Sequence, residues 1–125
     1  MPHESTAQKC DLLSGIEPSE ITGSFQGDSD LLLSLIELFR EQTPLLMSEI
    51  QRGLASHDAS IVRRAAHTLK GSTAIFGTTA AFEAARQLEA VAINGAIDQA
   101  AAAFEFVSLT QFELNDAFDR ILIAG

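Results

Sequence analysis

Apolar residues recur at helical spacing through four successive segments, and turn or cap residues separate the segments. No run of alternating apolar and polar residues lies between turn signals, so strands are not expected. The first long segment opens near Asp28-Ser29-Asp30, any of which can cap a helix. Leu31, Leu32, Leu35, Ile36 and Phe39 follow at helical spacing. Thr43-Pro44 predicts either a break between two helices or a kink in one. Leu45, Leu46, Ile50 and Leu54 carry the apolar face on to about Ala55.

Asp58 is the expected cap of the next helix, with Ile61, Val62, Ala65, Leu69 and Phe76 inward and Gly77 at its end. Thr78 or Thr79 caps a third helix, which places Phe82, Ala85, Leu88, Val91 and Ala92 inward and stops at Asn94-Gly95. A last helix runs from about Ala96 to Ile123, with Ala100, Phe104, Val107, Phe112 and Leu114 among its apolar positions. Residues 1–10 read as a flexible tail. Gly15, Pro18, Gly23 and Gly27 limit any helix within 11–27 to a short one. The expected fold is all-α: an antiparallel four-helix bundle with a short additional N-terminal helix. It forms one domain over 11–125, its bundle core spanning roughly 29–122.

A chain of 125 residues with 46% apolar content can bury a real core. Its net charge of −9 argues against nucleic acid and against anionic membranes as partners. No apolar run approaches the roughly 18 residues of a spanning helix. The start, MPHESTAQKC, lacks the apolar stretch of a secretory signal. The single cysteine, Cys10, has no internal partner, which fits a reducing, cytoplasmic setting. The aromatic residues are eight Phe, suited to core filling.

One window departs from this acidic background. No acidic residue occurs between Asp58 and Glu83, yet Arg63, Arg64 and Lys70 lie within four residues of His67. At about 100° per residue, His67 falls opposite Ala65 and Leu69. Ser60, Arg63, Arg64, Lys70, Gly71, Ala74 and Thr78 share its side of the helix. His67 is therefore expected to be exposed within a basic island, where an anion such as a phosphoryl group would be held. Gly71 and Ala74 leave an open approach for a partner. Glycine inside a helix costs about 1 kcal/mol relative to alanine, and close approach of another protein supplies a reason for it.

An exposed imidazole, with a reference pKa of about 6.5, is mostly neutral at pH 7 and carries one free lone pair. Neighbouring cations disfavour its protonated form. That nitrogen can attack phosphorus without a separate base. The added charge, close to two negative units, can be offset by Lys70 and by Arg63 or Arg64. A surface histidine alone usually signifies nothing, and paired arginines are commonly a solvated face. The joint placement on one side of one helix favours function. His3, in the tail, and His57, in a loop, lack this setting. A bundle metal site needs Glu-x-x-His pairs facing inward, and none is present near His67, so neither metal nor cofactor is expected. No nucleophile elbow, His-Glu-x-x-His or phosphate-cradling loop occurs, so an enzyme with its own ATP site is not expected.

The stretch RRAAHTLKGSTAIFG resembles the signature of histidine-containing phosphotransfer (HPt) domains, in which His-x-x-Lys-Gly follows a pair of small residues. The likeness extends more loosely over about 11–122, through LIELFREQTPLLMSEI and EAARQLE. The resemblance implies a phosphorelay intermediate in a two-component system. His67 would accept the phosphoryl group from a receiver-domain aspartate and pass it to another. Lys70 would be its charge partner, and Arg63, Arg64, Gly71 and Ala74 would form the partner-binding face. The partners implied are response-regulator receiver domains or a hybrid sensor histidine kinase, with the chain a monomer. The receiver would bring the aspartate and its Mg²⁺. The phosphotransfer domain of chemotaxis-type histidine kinases carries a similar motif and takes its phosphoryl group from a kinase domain. That is the first alternative, and a helical docking module without phosphorylation is the second.

Overall fold

The computed structural model describes residues 15–23, 25 and 27–124. The expected tail over 1–10, with His3 and Cys10, lies outside the described residues. Among the described residues the chain forms five helices: α1 (Pro18–Thr22), α2 (Ser29–Ala55), α3 (Ala59–Ala74), α4 (Ala80–Ile93) and α5 (Ile97–Ala124). No strand occurs among the described residues. α2 packs on α3, α3 on α4 and α4 on α5, and α5 returns to α2 to close a four-helix bundle. This is the all-α architecture expected from the periodicity, with α1 as the short additional helix against α5.

Local chemistry sets the ends of the helices. Asp28 caps α2 by accepting from Leu31 N at 3.1 Å, and Thr79 caps α4 by accepting from Phe82 N at 3.4 Å. Gly77 and Gly95 adopt left-handed backbone after α3 and α4, with φ of 102° and 73°. α2 is one continuous helix through Thr43-Pro44. Thr43 is not a cap there. Its Oγ1 donates to Phe39 O at 2.7 Å, one turn earlier. Proline removes a single internal bond, and packing on both sides of it keeps the helix going.

α2 and α5 have 27 and 28 residues, whereas α3 and α4 have 16 and 14. At 1.5 Å per residue the longer pair exceeds the shorter pair by roughly 20 Å. A cluster of phenylalanines fills the level where α3 ends. Phe76, fully buried just beyond α3, meets Phe39 at 5.4 Å and Phe118 at 4.9 Å, both edge to face. The overhang is braced by Arg40. Its Nη2 donates to Asn115 O at 2.9 Å and to Asp119 Oδ1 at 2.8 Å, while its guanidinium stacks over Phe118. At the tip, Arg120 Nη2 donates to the carbonyl of buried Ile16 at 3.1 Å.

Three of the apolar residues that recur at helical spacing point outward. Leu31 and Leu45 are 48% and 70% exposed, and Phe112 is 69% exposed. Rotation of each helix about its axis decides this. The buried seam of α5 runs through Ala100, Phe104, Val107, Gln111, Leu114 and Phe118. That seam takes Gln111 inward and turns its neighbour Phe112 out by about 100°.

Candidate functional site

α3 begins at Asp58, whose Oδ1 accepts from Ser60 N at 3.1 Å, Ile61 N at 3.4 Å and Ser60 Oγ at 2.6 Å. The Ser60 hydroxyl and these backbone donors hold the Asp58 carboxyl below its ordinary pKa. His57 precedes it with φ of 57°, exposed in the turn. Val62, Ala65, Ala66, Leu69 and Thr73 form the buried face of α3. His67 projects from the opposite side with its side chain 65% exposed.

Arg63, Arg64, Gly71 and Ala74 are likewise exposed, and Lys70 is half-buried at the edge facing α4. A Cβ added to Gly71 would meet nothing within 4 Å. The glycine is thus not required by packing within the bundle. Neither Arg63 nor Arg64 makes an ion pair among the described residues.

The basic island is not left uncompensated. Glu89 of α4 reaches both of its central members. Oε2 lies 2.8 Å from His67 Nδ1, and Oε1 accepts from Lys70 Nζ at 2.7 Å. This corrects the picture of a histidine surrounded by cations alone, because the missing acid arrives from the neighbouring helix. Small buried residues, Ala66 on α3 and Ala81, Ala84, Ala85 and Ala92 on α4, suit close approach of neighbouring helices. Glu89 follows buried Leu88 and lies one turn from Ala85 and Ala92, at the border of the α4 core face. That position at the edge of an apolar stripe was the available signal within EAARQLE. Nothing in the sequence paired it with His67.

The Glu89 side chain is only 13% exposed. Burial pushes its carboxyl up, but hydrogen bonds and charge from Lys70 and His67 outweigh burial and hold it below its ordinary value. An ionised carboxylate only accepts, so the 2.8 Å contact requires hydrogen on Nδ1. In the neutral ring the lone pair is then on Nε2, the edge turned away from Glu89. The site accordingly presents an exposed, oriented nucleophilic nitrogen.

The family model described as Hpt domain matches residues 34–123, which takes in most of α2, all of α3 and α4, nearly all of α5 and the whole site. No curated protein and no solved structure matches the chain. A match over more than half of the chain, on a helical bundle that exposes the motif histidine, places it: the chain belongs to the Hpt domain family, whose members carry phosphoryl groups on histidine.

Proposed function

We propose that the chain is a phosphorelay intermediate and that His67 accepts a phosphoryl group from a receiver-domain aspartate and passes it to another. The observation that carries this reading is the 2.8 Å contact between His67 Nδ1 and Glu89, which leaves Nε2 as the free nucleophile on an exposed ring. The Nε2 lone pair attacks phosphorus, and the bond from phosphorus to the aspartyl oxygen breaks. The aspartate leaves as a carboxylate with the electron pair. The ring keeps its Nδ1 hydrogen and gains a positive charge, which Glu89 offsets as a carboxylate does for any imidazolium. Onward transfer reverses these steps on a second aspartate.

Arg63, Arg64, Gly71 and Ala74 form the face that the receiver meets. The receiver supplies the aspartate and its Mg²⁺, and this chain supplies the nitrogen. On this reading the chain works as a cytoplasmic monomer.

The test is transfer from a purified phospho-receiver. Label is expected on the chain, labile to acid and stable to base, and absent from His67→Gln with helical circular dichroism unchanged. Label only from a kinase domain and ATP would favour the chemotaxis-type alternative. No label from either donor would leave a docking module.

A further inference from the structure

Lys70 is the cation that the motif offers to the phosphoryl group, yet its ammonium is already engaged. It lies 2.7 Å from Glu89 Oε1, and the other oxygen of that carboxylate is bound to His67. Glu89 is mostly shielded from solvent and Lys70 is 28% exposed, so water screens this pair less than an open surface pair. Opposite unit charges in contact act at a distance as a dipole, and the attraction of either for a third charge largely cancels. A phosphoryl group on Nε2 is on the ring edge away from Glu89. It therefore meets a Lys70 whose charge has been discounted.

We propose that Glu89 withholds Lys70 from the phosphoryl group, so that phospho-His67 is stabilised only weakly and gives up its phosphoryl group readily. The proposal rests on the phosphorelay reading above. One oxygen of Glu89 favours the ring cation formed on transfer, which allows the group in. The other oxygen restrains the cation that would otherwise hold it. A carrier between two aspartates needs both effects, because tight retention would make it a sink. Glu89 is in this sense a positioning residue, acting through His67 and Lys70.

A double-mutant cycle on the phosphorylated protein tests this. His67 is labelled with a small-molecule phosphodonor, which needs no docking, and the stability of the phosphohistidine is compared among the parent, Lys70→Ala, Glu89→Gln and the double variant. In the parent, Lys70→Ala is expected to shorten the phosphohistidine lifetime by no more than about fivefold, the scale of a screened pair. In the Glu89→Gln background the same change should cost roughly tenfold or more, the scale of a free charge-assisted contact. Equal Lys70 effects in the two backgrounds, or a larger effect in the parent, overturn the proposal while leaving the relay reading intact. Failure of His67 to take label in the parent overturns both. A second measurement needs no variant: the ¹⁵N resonance of Lys70 Nζ should stay nearly unchanged on phosphorylation of His67. A large shift would mean that the ammonium leaves Glu89 for the phosphoryl group, and would also overturn the proposal.

Discussion

The Nδ1 atom of His67 and the Oε2 atom of Glu89 lie 2.8 Å apart, although the residues are 22 positions apart in sequence and belong to different helices. The contact fixes the face that the ring presents and the nitrogen that carries its hydrogen. Nitrogen-15 spectra of the neutral His67 ring should therefore show mainly the Nδ1–H tautomer. Glu89→Ala should return the ring toward the usual mixture, in which Nε2–H is well populated. An unchanged tautomer in that variant would mean that Glu89 does not orient the ring.

Glu89 should also make the bundle sensitive to acid. Its carboxyl titrates lower in the folded chain than its ordinary value of 4.5, so the folded state favours the ionised form. This contribution is fully present above that ordinary value and is lost as pH falls through the depressed folded one. It should be on the order of 1 kcal/mol, as for a partly exposed ion pair. Urea unfolding between pH 7 and pH 3 should show a shallower decline for Glu89→Gln than for the parent.

Glu113 should behave in the opposite sense. It is 3% exposed, its Oε2 has no hydrogen-bond partner among the described residues, and burial pushes its carboxyl up. Below the ordinary carboxylate value both states are neutral and burial carries no charge penalty. As pH rises through the raised folded value the penalty becomes complete. Glu113→Gln should thus stabilise the chain at pH 7, read as a rise in Tm over the parent. The gain should vanish in thermal scans near pH 4.

Two helical glycines should part company. A Cβ on Gly53 would sit 2.8 Å from Val62 Cγ2, 3.0 Å from Ile61 Cγ2 and 3.1 Å from the Asp58 carbonyl. Gly53 lets the end of α2 meet the start of α3, and Gly53→Ala should cost about 1–3 kcal/mol through overpacking. Gly71 faces open space, so Gly71→Ala should be neutral or stabilising by up to about 1 kcal/mol. Gly71→Gln should leave the thermal midpoint nearly unchanged and still take label from a small phosphodonor, while transfer from a receiver falls. If Gly71→Gln instead unfolds the bundle, Gly71 is a packing residue and not part of a docking face.

The sequence by itself determined the helices, their caps and the motif that marks the site. Asp28, Asp58 and Thr79 cap because a short polar side chain meets free amides two or three residues ahead, and such contacts are legible locally. The outward placement of His67 likewise follows from its angle to Ala65 and Leu69 on one helix. The tertiary structure decided what depends on rotation and register between helices. It turned Leu45 and Phe112 outward, joined α2 through Pro44, and made Gly53 a packing residue while leaving Gly71 open. Above all it brought Glu89 to His67 and Lys70. Helical periodicity states which side a residue takes, but only the packing of α4 on α3 determines which carboxylate it meets there.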